Sequence, residues 1–151
     1  MIINMDLRIL IIEDEKPAQE YLGRLIMRLE PNATILTKID SIKSSVEFLR
    51  NNSVDLIFMD IQLSDGISFR IFDQVEVVSP IIFTTAYDSY AINAFKVNSI
   101  DYLLKPVDEN ELRISLDKFK KLSRPVTNMD MELLIKALQS KDRLYQERFV
   151  V

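Results

Sequence analysis

Four short apolar runs punctuate the chain, and each ends on polar residues. Leu7-Arg8-Ile9-Leu10-Ile11-Ile12 runs into Glu13-Asp14, and Val54-Asp55-Leu56-Ile57-Phe58-Met59 runs into Asp60. Ile81-Ile82-Phe83-Thr84 runs into Thr85-Ala86, and Ser99-Ile100-Asp101-Tyr102-Leu103-Leu104 runs into Lys105-Pro106. Runs this short and continuous read as strands buried on both faces, as in a parallel sheet. A weaker strand covers residues 33–39, Ala-Thr-Ile-Leu-Thr-Lys-Ile.

Between the runs the apolar positions recur with helical period. Residues 17–30 put Ala18, Leu22, Leu25, Ile26 and Leu29 on one face, with Pro17 suited to a first turn. Asp40 or Ser41 can cap a helix carrying Ile42, Val46 and Leu49. After Asp60, residues 61–66 carry a turn signal, and a helix follows with Phe69, Phe72 and Val75 inward. A further helix is expected from about 89 to 97. The next, from about 108 to 121, turns Leu112, Leu116 and Phe119 to one side. Its last turn holds Lys118, Lys120 and Lys121, which complement the helix dipole.

The order is β then α, five times. That alternation predicts an α/β fold: a (βα)5 doubly wound, five-stranded parallel sheet with right-handed crossovers. A flavodoxin-like order 2-1-3-4-5 makes strands 1 and 3 neighbours at the switch point, bringing Asp14 beside Asp60. The carboxyl ends of parallel strands share one edge, so Glu13, Asp14, Asp60, Thr85 and Lys105 should converge there.

Residues 122–151 differ. Arg124-Pro125 breaks the helix, and Thr127-x-x-Asp130 has the form of a capping box. Met131, Leu134, Ile135 and Leu138 make an amphipathic stripe before the apolar end Arg148-Phe149-Val150-Val151. The expected division is a domain at 1–122, then a C-terminal linker helix and the start of a truncated second domain at 123–151.

Composition removes whole classes of chemistry. The 151 residues include no cysteine and no histidine, which excludes disulfides, thiolate sites, Ser-His triads and imidazole ligands within this chain. Only two glycines occur, Gly23 and Gly66, so neither a G-x-G-x-x-G dinucleotide turn nor a P-loop is present. A net charge of −4 gives no reason to expect this segment to bind nucleic acid. No apolar run approaches the ~18 residues of a membrane span, and the N-terminus MIINMDLR lacks the pattern of a signal peptide, so a cytoplasmic location is expected.

Each polar residue at the edge also has an ordinary reading: Asp14 as a helix cap, Asp60 as a solvated loop carboxylate, Thr85 as a β-branched strand residue. Lys105 could be a surface charge and Tyr102 an edge-strand aromatic. Together they form a coherent chemistry. Clustered carboxylates repel, and a hard divalent cation relieves the repulsion. Mg²⁺ accepts one or two carboxylates while keeping waters and phosphate oxygens. An ionised Asp can accept a phosphoryl group, with Lys105 and the Thr85 hydroxyl neutralising and bonding its oxygens.

The set Glu13-Asp14, Asp60, Thr85-Ala86, Tyr102 and Lys105-Pro106 resembles the receiver domain of a bacterial two-component response regulator, over about residues 7–121. The resemblance implies that Asp60 is the phosphoacceptor. It implies direct Mg²⁺ ligation by Asp14, Asp60 and the Gln62 backbone carbonyl, with Glu13 acting mainly through water. Thr85 and Tyr102 would be the switch pair, and Lys105 would contact the phosphoryl group. The wording Phe83-Thr84-Thr85-Ala86-Tyr87-Asp88 and Asp101-Tyr102-Leu103-Leu104-Lys105-Pro106 looks like receivers joined to LytTR-type DNA-binding domains, and Tyr145–Val151 resembles the opening of such a domain.

The partners implied are a sensor histidine kinase, DNA through the missing domain only, and a second copy. That copy would pair through the fourth helix, fifth strand and last receiver helix, near Tyr90, Ala91, Ala94 and Phe95. One departure is the loop after Asp60, which lacks the proline many receivers carry. Two alternatives are a phosphorylation-independent interaction module and an aspartate-nucleophile phosphatase. The latter uses D-x-D, but the second position here is Gln62, which cannot transfer a proton at neutral pH.

Overall fold

The computed structural model of the protein describes residues 6–86 and 101–122, together with Lys136. Five strands form one sheet: β1 (Arg8–Ile12), β2 (Thr34–Ile39), β3 (Leu56–Asp60), β6 (Ile81–Thr85) and β7 (Asp101–Leu104). Their order is β2-β1-β3-β6-β7, all neighbours parallel. This is the expected 2-1-3-4-5 arrangement, because β4 (Gln62–Leu63) and β5 (Gly66–Ile67) belong to a separate two-stranded hairpin.

The two faces of the sheet are covered differently. Ile9, Ile11, Leu56, Phe58, Ile82 and Leu103 pack against α1 (Lys16–Leu29) and α3 (Glu109–Leu122). Leu10, Ile12, Ile57, Met59 and Phe83 pack against α2 (Ile42–Asn51) and the segment after β3. All of β3 is buried, and each fully covered aliphatic side chain contributes roughly 1.5–3 kcal/mol of transfer free energy. This continuous burial explains the unbroken apolar runs.

The helix boundaries follow local chemistry. Ser41 caps α2, its Oγ accepting from Ser44 N–H at 3.1 Å. Asp108 caps α3, Oδ2 accepting from Glu111 N–H at 3.1 Å. Pro17 lies in the first turn of α1, where its missing N–H costs nothing. Across the layer, Arg28 pairs with Glu109 at 2.7 Å and Lys120 pairs with Glu30, joining α1 to α3.

The segment after Asp60 corrects the sequence reading. The turn at 61–66 is a hairpin, β4 (Gln62–Leu63) with β5 (Gly66–Ile67), and the helix expected beyond it is a 3₁₀ segment, Ser68–Asp73. Phe69 is buried and Phe72 and Val75 half-buried as expected, but Ile71 is also fully covered. Three-residue winding brings Ser68 and Ile71 onto one line. The stretch Val75-Glu76-Val77-Val78-Ser79-Pro80 prevents extension. β-branched residues disfavour the helix, and Pro80 restricts Ser79 to extended geometry. An edge-to-face contact between Phe69 and Phe83, 5.5 Å between centroids, seats the segment on the sheet.

The helix expected at 89–97, with Tyr90, Ala91, Ala94 and Phe95, lies outside the described residues, as does nearly all of 123–151. Among the described residues no helix is long and apolar enough to cross a membrane.

Candidate functional site

The parallel register delivers the ends of β1, β3, β6 and β7 to one edge, and backbone hydrogen bonds tie them together. Glu13 N–H donates to the Ile39 carbonyl at the end of β2 (2.8 Å), Ile61 N–H to the Thr84 carbonyl (3.1 Å) and Lys105 N–H to the Thr85 carbonyl (2.8 Å). The Lys105-Pro106 peptide bond is cis.

Lys105 Nζ lies 2.6 Å from Glu13 Oε1 and 2.9 Å from Asp60 Oδ2. Asp60 Oδ1 accepts from Gln62 N–H at 3.2 Å, and Glu13 Oε2 from Glu15 N–H at 3.0 Å. Glu13 is 3% exposed and Asp60 6%. Two carboxylates that would repel at this depth are thus held by one ammonium and two backbone donors.

Burial pushes the Glu13 carboxyl up to about 7, and the Asp60 charge adds to the rise, against the pull of hydrogen bonds from Lys105 and the Glu15 N–H. Burial works against the Lys105 ammonium, but its hydrogen bonds to Glu13 and Asp60 and their charges prevail, so its pKa lies above the usual 10.5.

Carboxylate oxygens of Glu13, Asp14 and Glu15 lie within 4.8 Å of one another. Asp14 is half-buried and Glu15 exposed, so the cluster opens to water. Hard oxygen donors with open positions and no nitrogen or sulfur ligand fit Mg²⁺. Glu15 escaped the sequence reading, although the run Glu13-Asp14-Glu15 signals it. Gln62 meets Asp60 through its N–H, a contact also not foreseen.

Thr85 is buried at the end of β6. Side chains alternate along a strand, so Thr85 shares a sheet face with Phe83. Tyr102 pairs in register with Phe83 and packs, half-buried, against the cluster containing it. The two proposed switch residues therefore stand on the same face of adjacent strands. On the other face a groove of about 440 Å³ runs beside the acidic edge, lined by Pro17, Ala18, Tyr21 and Leu22 of α1 and by Lys105, Pro106 and Val107.

A doubly wound parallel sheet with an acidic switch-point edge and a lysine reaching across it defines a class, the phosphoacceptor receiver modules. The assignment is direct: residues 9–117 match the response regulator receiver domain, and the chain belongs to that family. It is 36% identical over 130 residues to the sensory transduction protein LytT of Bacillus anthracis, covering 84% of this chain and 52% of that protein. LytT of Bacillus subtilis is 35% identical over 127 residues, 82% of this chain and 52% of that protein. The chain spans about half the length of these curated relatives. Among solved structures it is similar to the response regulatory domain of mrkE from Klebsiella pneumoniae, with 33% identity and a TM-score of 0.62 over 76% of this chain and 96% of that one.

Proposed function

We propose that Asp60 accepts a phosphoryl group from the phosphohistidine of a sensor histidine kinase in the cytoplasm, and that the resulting change switches a transcriptional output. The observation that carries this reading is the Lys105 ammonium 2.9 Å from Asp60 Oδ2 at the carboxyl edge of the sheet. The chain has no histidine, so the donor imidazole comes from another protein.

An Asp60 carboxylate oxygen attacks phosphorus in line, the phosphorus–nitrogen bond breaks, and the departing imidazole keeps the electron pair. Mg²⁺ held by Asp14, Asp60 and the Gln62 carbonyl, with Glu13 through water, would supply charge neutralisation for the phosphoryl oxygens. Once Asp60 is phosphorylated its own charge no longer occupies Lys105, and the ammonium turns to a phosphoryl oxygen. The apolar groove along α1 offers a donor protein a surface beside the acceptor.

The Thr85 hydroxyl then bonds the phosphoryl group, and Tyr102, on the same sheet face, moves toward the space released. A local hydrogen-bond change of this kind biases a two-state element. The output is pairing of two copies through the surface around β7 and α3. Pairing would bring two LytTR-like DNA-binding domains, expected beyond residue 123, to adjacent half-sites.

Intact mass and peptide mapping after incubation with acetyl phosphate and Mg²⁺ test the chemistry. One phosphoryl adduct is expected on Asp60 in the wild type and none in Asp60→Asn; an adduct persisting in the variant overturns the assignment. Sedimentation with and without beryllofluoride tests the output. A shift toward dimer is expected in the wild type and not in Thr85→Ala.

A further inference from the structure

The hairpin after Asp60 is anchored at its tip to a different part of the chain. Asp65 sits in the two-residue turn between β4 and β5, and Gly66 follows with φ +137°, a conformation L side chains rarely adopt. Both Asp65 carboxylate oxygens accept from Ile42 N–H at 3.0 Å, and Oδ2 also lies 3.4 Å from Lys43 N. These are the first two donors of α2, which have no partner within their own helix. The third, Ser44 N–H, is served by Ser41 at the start of α2 itself. A carboxylate at this end also complements the positive pole of the helix. The N-terminus of α2 is therefore capped both from within, by Ser41, and from the hairpin, by Asp65.

At its base the same hairpin holds the acceptor. Gln62, the first residue of β4, donates its N–H to Asp60 Oδ1, and Ser68 N–H beyond β5 donates to the Ile61 carbonyl at 2.9 Å. Only four residues separate Asp60 from Asp65, so the hairpin is short enough for one end to constrain the other. We propose that Asp65 is a positioning residue for Asp60. Its bond to α2 holds the hairpin in the place where Gln62 N–H fixes one acceptor oxygen and leaves the other toward Lys105.

The proposal rests on the assignment of Asp60 as phosphoacceptor, and its test separates the two. Hydrogen exchange of backbone amides is measured without any phosphodonor, and the rate of phosphorylation by acetyl phosphate at saturating Mg²⁺ is measured in parallel. Asp65→Ala should raise exchange at Ile42 and also at Gln62, and slow phosphorylation on the order of tenfold, as expected for a misplaced reacting group. Asp65→Asn, whose amide oxygen can still cap, should restore both toward wild type. Ser41→Ala is the control. It weakens the same helix terminus from the other side and should leave Gln62 exchange and the phosphorylation rate unchanged.

Unchanged Gln62 exchange in Asp65→Ala, or equal slowing in Ser41→Ala, overturns the positioning role. No adduct on Asp60 in the wild type would instead overturn the assignment of the acceptor. The exchange data would then still report whether Asp65 controls the Gln62 bond.

Discussion

Lys105 Nζ lies 2.6 Å from Glu13 Oε1, joining the end of β7 to the end of β1 across two intervening strands. The same ammonium reaches Asp60 at 2.9 Å. Truncating it leaves two buried carboxylates facing each other. Lys105→Met should therefore lose roughly 3 kcal/mol of folding free energy, the usual cost of removing one partner of a buried pair. Urea unfolding at pH 8 in a chelator measures the loss. Added Mg²⁺ should recover part of it, because a ligand of the folded state stabilises that state. A variant as stable as wild type would show that the shared ammonium carries no weight.

Stability should fall with rising pH because of Glu13. Its folded pKa of about 7 lies above the ordinary 4.5, so the protonated form is favoured in the folded state. The contribution is complete below pH 4.5 and is lost as pH rises through about 7. Other carboxylates titrate too, so the readout is the difference between wild type and Glu13→Gln in chelator. Glu13→Gln should gain on wild type from pH 5 to 8; a flat difference would refute the shift. Lys105, raised above 10.5, stays charged across that window.

Mg²⁺ affinity should depend on Asp14 more than on Glu15. Both belong to the carboxylate cluster, but Asp14 is half-buried and Glu15 exposed. Asp14→Asn should weaken binding by about tenfold or more and Glu15→Gln by less, in a titration followed by NMR. Amides near Glu13, Asp60 and Lys105 should shift in the wild type. Equal affinity in Asp14→Asn would remove it from the ligand set.

Ser68 Oγ is fully buried and has no hydrogen-bond partner among the described residues. An unsatisfied hydroxyl costs about 1–3 kcal/mol, so Ser68→Ala should be neutral or more stable by about 1 kcal/mol. Thermal and urea unfolding decide it. A loss of stability would mean that the hydroxyl has a partner, such as a buried water.

The chain's own pattern determined the sheet and its working edge. Ile9 to Ile12 and Leu56 to Met59 are apolar without interruption because both sheet faces are covered, so strand type and parallel topology could be read before any contact was known. Parallel strands share a carboxyl end, and that alone brought Glu13, Asp14, Asp60, Thr85 and Lys105 to one place. Tertiary structure decided which of them touch. Lys105 and Asp60 are 45 residues apart, and their contact depends on strand register and burial depth that periodicity does not encode. The same holds after β3, where Phe69, Phe72 and Val75 suggested an α-helix. The hairpin, the 3₁₀ turn and the 23-residue reach from Asp65 to Ile42 arise there because a short loop must seal the sheet edge and cap a neighbouring helix together. Local propensity records the burial of each element on its own; the pairing of polar groups between elements exists only once the crossovers have placed them.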